Sequence, residues 1–144
     1  MIHSDNVKAA VMTHRNGFQI KLPNGYRVSF SFGQGSYADN RYAGMGTTPA
    51  PDQWESNNFE LGVFDLEDEM MDLVKEYDSD GTVRTDQVVG WVPAHLLRDI
   101  LTRVAFWSKD DAEKNKERAL ALGKFCEKSR TEFEHLEVKY SENR

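Results

Sequence analysis

Strict alternation of apolar and polar residues marks the first third of the chain. Phe18, Ile20 and Leu22 point one way while Gln19 and Lys21 point the other. Tyr26, Val28, Phe30 and Phe32 alternate in the same manner with Arg27, Ser29 and Ser31. Successive side chains of a strand face opposite sides, so this pattern predicts a sheet with one buried face. Asn16-Gly17 and Pro23-Asn24-Gly25 punctuate the runs. Asn and Gly accept the positive φ of tight hairpin turns, which favours an antiparallel meander. A strand over residues 7–13 precedes it, and residues 59–64 and 88–92 supply further strands.

After Pro93 the period changes. Proline suits the first position of a helix, where its missing N–H would have no partner. Leu96, Leu97, Ile100, Leu101, Val104 and Trp107 then form a broad apolar stripe, predicting a helix over 94–107. A second helix is expected over 110–139, capped by Asp110 or Asp111 and carrying Ala119, Leu122, Cys126, Phe133, Leu136 and Tyr140 at three- to four-residue steps. At 1.5 Å per residue it would reach ~45 Å, longer than a small domain covers, so part of it is expected to pack against another copy of the chain. The expected fold class is α+β: an antiparallel sheet over about 7–92 followed by two C-terminal helices, within one domain spanning 1–144. Residues 66–77 stay open. Leu66, Met70, Leu73, Val74 and Tyr77 fit helical spacing, yet 71–74 fits a strand equally.

Composition narrows the setting. A chain of 144 residues can bury a real core without covalent staples, and its single cysteine, Cys126, cannot form an intrachain disulfide. No apolar run resembles a signal peptide or a membrane span. A cytoplasmic protein is therefore expected, with no membrane partner. The net charge of −6 is unevenly spread: residues 52–80 hold 11 acids and one base. That stretch would repel a polyanion, and no stripe of Lys and Arg compensates, so long nucleic acid is not the expected partner. A small phosphate-bearing ligand needs only one or two local cations.

Catalytic and metal chemistry find little support. His3, His14, His95 and His135 lack paired spacing, and one cysteine cannot begin a thiolate zinc site. Residues 76–87 align loosely with a calcium-binding EF-hand loop, Gly81 falling at its sharp turn. Glu76 stands at the first position, however, and Gln87 where a bidentate Glu should close the shell. An acidic turn between two elements accounts for the segment equally well. Gly33-Gln34-Gly35-Ser36 lacks the spacing of a nucleophile elbow. Cys126, on an apolar helix stripe, reads as packing. No enzymatic activity and no cofactor are expected.

The loop over 33–56 remains. Its glycines, Gly33 and Gly35, could turn successive N–H groups inward around an anion, and Arg41 could add a bidentate contact to phosphate. Tyr37, Tyr42 and Trp54 within the loop, or Phe18 and Trp91 outside it, could stack on a base, while Asp39 and Asn40 read its polar edges. His95 and Arg98, near the start of the first long helix, could lie beside an anion. The competing possibility is a purely structural loop, with aromatics plugging the end of the sheet, Arg41 paired to Asp39, and Phe18 and Trp91 in the core.

The run Tyr26-x-Val28-Ser29-x-x-Phe32-Gly33-x-Gly35-x-Tyr37-x-Asp39-Asn40-Arg41, with Asn57 to Phe64 and Gly90-Trp91 beyond it, resembles a group of small phage and prophage proteins. The likeness spans about residues 7–107, with an acidic insertion near 66–87. The plan of a sheet followed by two helices is similar to that of the anti-Thoeris sponge proteins. That family sequesters the cyclic ADP-ribose-type signal made by bacterial TIR-domain enzymes, binds without cleaving, and assembles as an oligomer. The resemblance implies a phage-encoded counter-defence protein that holds a small signalling nucleotide in the host cytoplasm as a homo-oligomer. The alternatives are a protein-binding inhibitor of a host factor acting through the acidic segment 52–80, and a nucleotide hydrolase.

Overall fold

The computed structural model describes residues 9–14, 16–46, 49 and 51–142, with side chains through Glu132 in the last helix. Among the described residues seven strands precede the helices: β1 (Ala10–His14), β2 (Gly17–Lys21), β3 (Arg27–Ser31), β4 (Asn58–Phe64), β5 (Val74–Tyr77), β6 (Val83–Asp86) and β7 (Val88–Pro93). A single 3-10 turn, Ala94–Leu96, leads into α1 (Leu97–Ala105), and α2 spans Ala112–Glu142. The fold is α+β, as the periodicities predict. Residues 7 and 8 of the expected first strand lie outside the described residues.

Five strands form one antiparallel sheet in the order β1-β2-β3-β4-β7, and β5 and β6 pair separately as a hairpin. Register explains the alternation. Phe18 faces Phe30, Ile20 faces Val28, Val28 faces Val63 and Phe30 faces Leu61, so the apolar side chains share one face. That face packs against Leu96, Ile100 and Val104 of the first helical segment and Ala119, Leu122 and Cys126 of α2 in one continuous core. Gly17 turns the first hairpin at φ 151, and a Cβ there would strike the Phe30 carbonyl oxygen at 1.9 Å, so only glycine fits.

The ambiguity over 66–77 resolves against a helix. Met70 bridges to Phe64, and β5 begins at Val74. Met71 and Leu73 are buried while Asp72 between them is exposed, which is period two. The EF-hand alignment falls with it: residues 76–87 run through two paired strands joined by a turn at Asp78–Gly81, not between two helices. No helix among the described residues is long and apolar enough to cross a membrane.

The pairing of β4 with β7 slips at one point. On β4, Phe59 pairs with Val92 and Leu61 with Val89, so two residues of β7, Gly90 and Trp91, stand opposite Glu60 alone. This β-bulge lets Val89 and Val92 both face the core although three positions separate them. The backbone cost falls on Trp91, which adopts φ 50. For a bulky L-residue the left-handed region costs ~1–2 kcal/mol, so the surrounding contacts must hold it there.

Candidate functional site

Residues 33–41, in the connection between β3 and β4, are tied together by their own backbone. The Gly33 N–H donates to Asn40 Oδ1 (2.6 Å) and the Gly35 N–H to the Arg41 carbonyl (3.0 Å). The Ser36, Ala38 and Arg41 amides bond carbonyls within the same loop. Tyr37 N–H donates to Glu60 Oε2 (2.9 Å), and Asp39 N–H to Asn58 Oδ1 (2.8 Å). The expected glycine cradle is therefore corrected: the Gly33 and Gly35 amides already have partners and are not turned toward a guest. The reason is geometric. Glycines at φ 117 and φ 85 fold the chain back on itself, and Asn40 closes that turn with both ends of its amide, Nδ2 donating to the Glu55 carbonyl (3.0 Å). Asn40 is thus a strut of the loop. Ser36, buried, donates its hydroxyl to the Gly33 carbonyl (2.7 Å).

What the loop presents outward is side chain. Arg41 sets its guanidinium carbon 4.9 Å from the centre of the Tyr37 ring and 5.2 Å from that of Tyr42. Tyr37 in turn lies 5.6 Å from Trp91, their planes inclined by 34°. Tyr37 and Tyr42 are exposed. The expected alternative, Arg41 paired with Asp39, is not found: Arg41 enters none of the ion pairs among the described residues. Its Nε is buried without a hydrogen-bond partner. A guanidinium whose face rests on aromatic rings keeps its in-plane N–H donors for an anion.

Beside this row lies a polar groove of about 390 Å³ lined by Asp39, Asn40, Glu55, Ser56 and Asn57. Its carboxylates suit hydroxyls or a cation better than phosphate. The Ala94 N–H donates to the Asn57 carbonyl (2.9 Å), so the segment carrying His95 begins against this wall. His95 and Arg98 are both exposed, His95 in the 3-10 turn and Arg98 in the first turn of α1.

Comparison with family models, with curated proteins and with solved structures gives no match. The site therefore rests on its own geometry. The structure brings Tyr37, Arg41, Tyr42 and Trp91 together. Phe18 does not join them. It stacks on Phe30 at 5.1 Å and packs against the core, because register puts it on the helix-covered face of the sheet. Glu60 and Arg130 escaped the sequence reading. Glu60 holds the Tyr37 amide, and Arg130 Nη1 on α2 donates to the Gly90 carbonyl (2.8 Å). The one available signal was Gly90 within an apolar run, since an isolated glycine in a strand marks a bulge or a close approach. A Cβ at Gly90 would lie 2.7 Å from Tyr37 Cβ.

No cluster of three or more His, Cys, Asp or Glu able to hold a metal occurs among the described residues. Burial pushes the Cys126 thiol up to about 12, which keeps it protonated and unreactive at neutral pH.

Proposed function

We propose that the protein is a non-catalytic binder that captures a small signalling nucleotide, of the cyclic ADP-ribose type, and withholds it from its receptor. The observation that carries this reading is Arg41: a guanidinium laid over two exposed tyrosine rings, ion-paired to no carboxylate among the described residues. Such a group offers a bidentate edge to phosphate, while the outer face of Tyr42 offers a platform to a base. Asp39 and Glu55 in the neighbouring groove suit ribose hydroxyls. The resemblance to the sponge proteins supports the same class of ligand. The binding group is now side chains in place of loop amides, with Tyr37, Arg41 and Tyr42 at its centre and Trp91 behind Tyr37. The length of α2, 31 residues, supports assembly of several copies.

The test is capture followed by release. The protein is incubated with cyclic ADP-ribose isomers, freed of unbound nucleotide and heated. Intact nucleotide in the supernatant is expected. New products in place of it would favour the hydrolase, and nothing bound would remove the proposal.

A second reading, a protein-binding inhibitor, has one observation in its favour. The β5–β6 hairpin stands outside the main sheet and exposes Tyr77 and Val83 among Glu76, Asp78 and Asp80. Reversing Glu69, Asp72 and Asp78 to lysine should abolish activity on that reading and leave nucleotide capture intact.

A further inference from the structure

The peptide unit linking Gly90 to Trp91 is held at both ends. Its carbonyl, on Gly90, accepts Arg130 Nη1 from α2 at 2.8 Å. Its N–H, on Trp91, donates to the Tyr37 carbonyl at 2.8 Å. Carbonyl and N–H belong to one rigid plane, so rotating that plane breaks both bonds together. The backbone does not favour this orientation by itself, because Trp91 sits at φ 50, a region that costs a bulky side chain energy. Gly90 admits such rotation, having no side chain of its own, and its bareness is also what lets Tyr37 approach.

We infer that this peptide plane couples α2 to the Arg41 surface, with Arg130 as a positioning residue that sets Tyr37 from behind. Tyr37 carries one of the two rings under Arg41, and three contacts fix it in place: its amide on Glu60, its carbonyl on the Trp91 N–H, and its ring on Trp91. Two of the three run through the bulge that Arg130 holds. A ligand that seats against Arg41 and Tyr37 therefore favours the peptide orientation that Arg130 also favours. Coupling of this kind is reciprocal: whatever α2 contributes to ligand affinity, the ligand contributes to the order of α2 around Arg130. The ligand side of the inference rests on the nucleotide reading above; the link between α2 and Tyr37 does not.

The experiment compares the wild-type protein with Arg130→Met, which keeps the aliphatic stem and loses the donors, and with Arg130→Lys as the rescuing variant. Amide exchange at Trp91 is measured by nuclear magnetic resonance without ligand, with Val28 in the sheet centre as control, and affinity for cyclic ADP-ribose is measured alongside. R130M is expected to speed exchange at Trp91 tenfold or more with Val28 unchanged, and to weaken binding about tenfold; R130K should recover part of both. Should R130M not fold, Arg130→Gln, too short to reach Gly90, carries the same comparison at the same amide. Unchanged protection at Trp91 would overturn the inference. Faster exchange at Trp91, in a protein whose wild type binds no cyclic ADP-ribose, would uphold the link and remove the nucleotide reading alone.

Discussion

Asn24 occupies a surface turn, yet its side chain ties two distant parts of the chain. Its Nδ2 donates to the carbonyls of Val104 (2.8 Å) and Trp107 (2.9 Å), at the end of α1 and just beyond it, and its Oδ1 accepts the Tyr26 N–H (3.1 Å). The turn that begins β3 thus caps a helix 80 residues later. Asn24→Ala removes that donor and should cost ~1–3 kcal/mol in denaturant unfolding. Cys126 gives a prediction in pH. Burial raises its thiol from the ordinary 9.0 to about 12, with Arg103 opposing the shift and Glu127 reinforcing it. A pKa raised in the folded state stabilises below the unfolded value and loses that contribution as pH climbs toward the folded one. Stability should therefore fall between pH 9 and 12, and Cys126→Ser should flatten that decline. Asn24 and Gly25 were legible in the sequence as a turn; that Asn24 reaches α1 was not, because nothing local encodes a partner 80 residues away.

Among elements, the packing of α2 on Leu73, just before β5, depends on one missing side chain. A Cβ on Gly123 would fall 1.8 Å from the Leu73 carbonyl oxygen, a backbone atom that cannot swing aside. Helix propensity alone would make Gly123→Ala stabilising by ~1 kcal/mol. Overpacking against backbone reverses the sign, and unfolding experiments should show a loss of ~1–3 kcal/mol. The strands of the main sheet were readable because parity is a local property: Phe18, Ile20, Val28 and Phe30 announce their face within a few residues. The bulge was not. Val88-Val89-Gly90-Trp91-Val92 is apolar throughout, so alternation carries no information there, and only the pairing with Glu60 reveals the inserted residue. Residues 66–77 stayed ambiguous for a related reason, since Leu66, Met70, Leu73, Val74 and Tyr77 satisfy a helical spacing while serving a turn, a bridge and a strand. The helix boundaries shifted little, α1 ending at Ala105 once its first turn had tightened into a 3-10 turn.

At the scale of the whole molecule, charge and chemistry are segregated. Acidic side chains crowd the turn at 65–69 and the β5–β6 hairpin, where Asp68 pairs with Arg27 (2.7 Å) and Glu76 with Arg84 (2.6 Å). Arg41 stands apart from those ion pairs, over its two tyrosines. The candidate site was half legible: Tyr37, Arg41 and Trp91 came from residue type and loop context, whereas the amide cradle failed because a sequence does not show whether a loop uses its own N–H groups. The central claim is that Arg41 binds an anionic nucleotide on that aromatic surface. Calorimetric titration of the wild type and of Arg41→Met with cyclic ADP-ribose tests it most directly. Saturable binding by the wild type, weakened tenfold or more in R41M at unchanged thermal stability, is the predicted result; no heat from either protein, or equal affinity in both, would contradict it.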